Sequence, residues 1–194
     1  MKTEKHPKNK GFTAGFTLVE MLVAVSIFSL SVLALLSVLS QGISDTNYTK
    51  KKVIAAYLAA EGIEYMRNLR DTYALFSSSA QDGWNDFNVK LLSSACAGAN
   101  GCYFNPSSLD FSSQDMPITS LAMAACTPDC PALLYDEATG RYGYDSGADS
   151  GYVRKIQITR TNADETKVST TVFWQQNSGT YQITFTETLF NWME

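Results

Sequence analysis

Met21 to Leu39 reads MLVAVSIFSLSVLALLSVL, 19 residues without a charge, a proline or a glycine. At a rise of about 1.5 Å per residue, a helix of that length crosses the ~30 Å hydrocarbon layer of a bilayer. Upstream stand Lys2, Lys5, Lys8 and Lys10, whereas between Phe16 and Thr49 the only charged side chains are Glu20 and Asp45. This bias predicts a cytoplasmic N-terminus with the bulk of the chain outside, although Lys50 to Lys52 form a second basic cluster beyond the span. A cleavable secretory signal needs a shorter apolar core followed by small residues in an A-x-A pattern. Ser37-Val38-Leu39-Ser40-Gln41-Gly42 offers no such pattern, so the run is expected to stay in the mature protein.

Helical periodicity continues past the span, because Ile54, Leu58, Gly62, Tyr65, Leu69, Tyr73 and Phe76 recur at steps of three or four and share one helix face. No proline lies between Pro7 and Pro106. Gly42 and Gly62 lower local helix stability by about 1 kcal/mol each but do not break it. The reading is one helix from Phe16 to Phe76, roughly 90 Å long. Residues 16–40 are its lipid-embedded part, and residues 41–76 are an amphipathic continuation that buries its stripe on a second layer. Within it, Glu61, Glu64, Arg67 and Arg70 are spaced for i,i+3 ion pairs worth tenths of a kcal/mol each.

From 77 to 131 the composition shifts to serine, alanine, glycine and asparagine around isolated aromatics, namely Trp84, Phe87, Tyr103, Phe104 and Phe111. That predicts a long, mostly irregular connection, with a short helix possible around Trp84 to Ser94. A structureless loop of this length needs staples. Cys96, Cys102, Cys126 and Cys130 can supply them, because they fall on the side where thiols oxidise. Three pairings exist, and proximity favours Cys96–Cys102 with Cys126–Cys130. A four-thiolate zinc site is the alternative, but C-x5-C and C-x3-C differ from the usual paired C-x2-C knuckles.

Residues 132–194 read as antiparallel sheet. Leu133 to Tyr135 and Tyr142 to Tyr144 flank a turn ending at Gly140. Tyr152 to Thr161, Lys167 to Gln176 and Thr180 to Phe190 then alternate apolar and polar residues with period two. Ile156 and Ile158, then Val168, Val172 and Trp174, then Tyr181, Ile183, Phe185 and Leu189 make an apolar face that needs a cover. The striped helix is the available one, which makes the fold class α+β.

One motif stands at the head of the apolar run: Lys10-Gly11-Phe12-Thr13-Ala14-Gly15-Phe16-Thr17-Leu18-Val19-Glu20. It resembles the N-terminal signal of type IV prepilins and pseudopilins. In that family a short basic leader ends in glycine, the mature chain begins with phenylalanine, and a glutamate follows four residues later. Gly15, Phe16 and Glu20 fit that pattern, whereas Gly11-Phe12 does not, because Phe16 stands where the glutamate is needed. The resemblance implies a type IV pilin-like fold and a leader, residues 1–15, cut by a prepilin peptidase between Gly15 and Phe16, with N-methylation at Phe16. It further implies assembly with other pilin subunits, driven by an inner-membrane platform protein and an assembly ATPase, into a cell-surface or periplasmic filament. Glu20 would pair with a neighbour's N-terminal amine. Tyr57 to Asp71 is similar to the corresponding helix of minor pilins of the pilus-modification type and of small pseudopilins. The lack of a kinking proline in the span and of any cysteine after Cys130 points the same way.

Chemistry of other kinds finds little support. His6, the single histidine, lies in the leader and gives the mature chain no His-based triad or His metal cluster. Gly140 and Gly143 belong to no phosphate-binding run. Asp145 and Asp149 are acidic enough to suggest calcium, yet they lack EF-hand spacing, and a solvated turn is the simpler reading. No cofactor is expected. Removing residues 1–15 takes away four lysines and Glu4, leaving 11 basic against 18 acidic residues and a charge near −7, a poor basis for nucleic-acid binding. The expectation is a structural filament subunit, a minor pilin or pseudopilin, rather than an enzyme; the alternative is an uncleaved membrane anchor carrying an extracytoplasmic binding domain.

Overall fold

In the computed structural model, residues 15–106, 121–177 and 179–191 are described. The chain divides into two compact units, one ending at Asn47 and the other beginning at Tyr48. A single helix, α1 (Leu18–Phe76), contributes to both.

In the first unit every residue of the apolar run is exposed, so among the described residues nothing covers Met21 to Leu39. Three serines in this run cost little in lipid, because their hydroxyls return to their own helix. Ser26, Ser29 and Ser31 donate to the carbonyls of Leu22, Val25 and Ile27, each at 2.8 Å. Every backbone and hydroxyl group satisfied inside the helix is one that hydrocarbon need not solvate.

In the second unit α1 lies on an antiparallel sheet. Three long strands, β5 (Ala148–Arg160), β6 (Glu165–Gln176) and β7 (Gly179–Phe190), form a meander. The other edge of β5 is shared by β1 (Cys102–Phe104) and β3 (Ala132–Asp136), which carry β2 (Met123–Ala125) and β4 (Arg141–Gly143) at the margins. The described part of the segment expected as an irregular loop, residues 77–106 and 121–131, is more ordered than its composition suggests. It holds α2 (Ala80–Leu92), a 3-10 turn (Ala95–Ala97), β1 and β2. Trp84, Phe87 and Leu91 give α2 a buried stripe at steps of three and four, diluted in sequence by small polar residues. Ser79 caps it, accepting the Asp82 amide at 3.1 Å. The Ser79 and Ser78 hydroxyls in turn hold the Asp82 carboxyl below the usual carboxylate range. Phe111 lies outside the described residues.

The core has two parts. Ile63, Met66 and Leu69 of α1 pack with Trp84, Phe87 and Leu91 of α2, and with Phe104, Ile156, Ile158, Val168 and Leu189 of the sheet. Ala55, Leu58 and Ala59 pack on Leu133, Tyr152, Val172 and Trp174. The buried stripe of α1 is therefore rotated from the expected one. Leu58, Gly62 and Leu69 are inside, Ile54, Tyr65 and Tyr73 lie at its margin, and Phe76, expected in the stripe, is 66% exposed. Gly62 has a packing reason: a Cβ there would stand 2.8 Å from the Thr170 methyl of β6, so glycine lets helix and sheet approach.

The charges of α1 also pair differently from the i,i+3 expectation. Glu64 does bind Arg67, but Arg67 reaches on to Glu187 of β7 at 2.7 Å, and Arg70 turns to Asp71. Glu61 instead meets Arg154 of β5 at 2.7 Å. Arg154 is 1% exposed, and its guanidinium also lies 4.9 Å from the centroid of the Phe104 ring.

Two disulfides form, Cys96–Cys102 and Cys126–Cys130, the pairing that closes the two shortest loops. The first is wholly buried in the larger core. Replacing Cys96 and Cys102 together with alanine is expected to cost about 2 kcal/mol, the loop-closure value for so short a ring. A lower urea midpoint for the full chain in detergent micelles, with unchanged slope, checks this.

Tyr152 donates its phenol to the Lys51 carbonyl at 3.2 Å, and burial pushes its pKa up to about 12. Its neutral form is the one the fold favours. Stability from this group is therefore complete below pH ~10, the value of a free phenol, and is lost as pH rises from there to about 12. Phenolate absorbance of the wild type minus that of Tyr152→Phe should show one tyrosine titrating in that upper window.

Candidate processing and assembly site

The start of α1 is set by Thr17. Its side-chain oxygen accepts the Glu20 amide at 3.3 Å, and its carbonyl accepts the Met21 amide at 3.1 Å, as an N-cap does. Thr17-Leu18-Val19-Glu20 has the S/T-x-x-E spacing of a capping box, a helix-start signal that the sequence reading passed over. Glu20 is the acid of the first helical turn, where the positive end of the helix dipole favours a carboxylate.

Gly15 and Phe16 lie just ahead of the helix in a segment without regular structure. Phe16 is 78% exposed, and a Cβ added to Gly15 would meet nothing within 4 Å. The Gly15–Phe16 bond is therefore sterically open and sits two residues before the rigid helix. Residues 10–14 of the motif, like Lys2, Lys5, Lys8 and His6, fall outside the described residues. Glu20 is exposed and next to the uncovered apolar run.

Residues 14–36 match the family model of the prokaryotic N-terminal methylation motif. The chain carries the type IV pilin signature. Residues 37–194 lie outside that match, and no curated protein and no solved structure matches the chain. The pilin signature and the apolar helix that follows it are features of a single-pass membrane-anchored protein. A long N-terminal apolar helix with a C-terminal antiparallel sheet is the α+β pilin-like fold. The motif implies assembly with other pilins and the type IV machinery in general.

The remaining candidate residues are dispersed. Asp145 accepts from the Asn105 amide at 2.6 Å, and Asp149 accepts the Gly151 backbone amide at 2.8 Å. Among the described residues no three His, Cys, Asp or Glu side chains gather as a metal site would require. The Glu61–Arg154 pair, with Arg154 buried, was not revealed by sequence spacing, because its members are 93 residues apart.

Proposed function

We propose that this chain is a structural subunit, a minor pilin or pseudopilin, of a type IV pilus or type II secretion-like filament. It is made as a precursor with residues 1–15 as its leader. A prepilin peptidase cuts between Gly15 and Phe16 and methylates the new N-terminus. The platform protein and assembly ATPase then draw the helix out of the inner membrane, from a state with a cytoplasmic N-terminus and an extracytoplasmic sheet. The filament is reached at the cell surface or in the periplasm. In this family the role is structural rather than catalytic.

The observation that carries this reading is the coincidence of three features at one place. The methylation motif, the first helical turn with its glutamate, and the beginning of a lipid-length uncovered apolar run all fall between residues 14 and 39. Cleavage before Phe16 would leave an amine about one helical turn from Glu20. A carboxylate within a bilayer costs about 2.5–3.5 kcal/mol near the centre of a helix and therefore finds a partner. The amine of a neighbouring chain supplies it and sets the axial stagger between subunits.

Gly15→Val tests the processing step. The branched side chain is expected to leave the leader attached, so that N-terminal sequencing of membrane-extracted protein starts at Met1 for the variant and at methylated Phe16 for the wild type. A wild-type chain starting at Met1 would favour an uncleaved membrane anchor with an extracytoplasmic binding domain.

A further inference from the structure

We draw no further inference here: the strongest candidate, the groove of about 830 Å³ between α1 and the β3–β4 hairpin lined by Tyr57, Glu61, Tyr65, Asp136, Tyr142 and Asp145, carries nothing, because its three carboxylates are already held by Arg154, the Ala138 amide and Asn105 and nothing in the structure shows what covers it.

Discussion

Glu20→Ala is expected to insert into the membrane as the wild type does and yet to be missing from sheared filaments. Membrane insertion depends on the 19 uncharged residues that follow, which the substitution leaves intact and makes slightly more apolar. Assembly is another matter. In the filament the carboxylate would stand in an apolar layer opposite a protonated amine, and removing one member of a buried pair leaves the other uncompensated, at about 3–5 kcal/mol. At ~1.4 kcal/mol per factor of ten, incorporation falls by roughly 100-fold or more. Glu20→Gln separates charge from shape, since it keeps the size and one acceptor oxygen but cannot neutralise the amine. It should behave like the alanine variant rather than like the wild type. Immunoblots of membrane and sheared fractions read both steps, and normal incorporation of either variant would remove the pairing role from Glu20.

Glu61→Ala is expected to destabilise the second unit strongly. Arg154 is almost fully enclosed between helix and sheet, and Glu61 supplies its carboxylate at 2.7 Å. The Leu58 carbonyl, at 3.4 Å, is too distant to replace a charged partner. Deleting Glu61 therefore strands a buried cation, at about 3–5 kcal/mol, whereas the exposed Glu64–Arg67 pair is worth at most about 1 kcal/mol. Removing both members differs. Arg154→Met with Glu61→Ala should recover most of the loss, because a flexible apolar side chain beside Phe104 needs no partner. Urea denaturation of the full chain in micelles gives both numbers. A double variant as unstable as Glu61→Ala alone would show that the charge is not what makes the single change costly.

The architecture was legible where one periodicity dominates. The apolar run, the helix to Phe76, and the three long strands follow from unbroken patterns, and the strand boundaries differ from expectation by at most four residues, the largest shift being the start of β5 at Ala148 rather than Tyr152. Alternation also placed Ile156, Ile158, Val168, Val172 and Trp174 on the buried face. It overreached at Tyr181 and Phe185, because period two reports which face a side chain takes, not whether the cover extends that far. In α1 the stripe was misplaced because Ala55 and Ala59, which carry little hydropathic signal, are fully buried against the sheet beside Leu58 and Gly62.

Order in the described residues between 77 and 106 was hidden for a related reason. Three anchors, Trp84, Phe87 and Leu91, define α2, and the serines around them serve as caps rather than as loop. Pairings between distant segments left no local trace at all. Glu61 with Arg154, and Arg67 with Glu187, become visible only once the sheet is laid against the helix. The candidate processing site was the reverse case. Gly15, Phe16 and Glu20 were singled out because their order along the chain resembles the prepilin signal, and the structure added Thr17 as the cap that fixes where the rigid helix begins.

The intact mass of this chain recovered from assembled filaments tests the central claim most directly. The account predicts the mass of residues 16–194, reduced by the four hydrogens of two disulfides and increased by the CH2 that one N-methylation adds. A filament-borne chain with the mass of residues 1–194 would contradict it, because an N-terminal amine at Phe16 could then play no part in holding the subunits together.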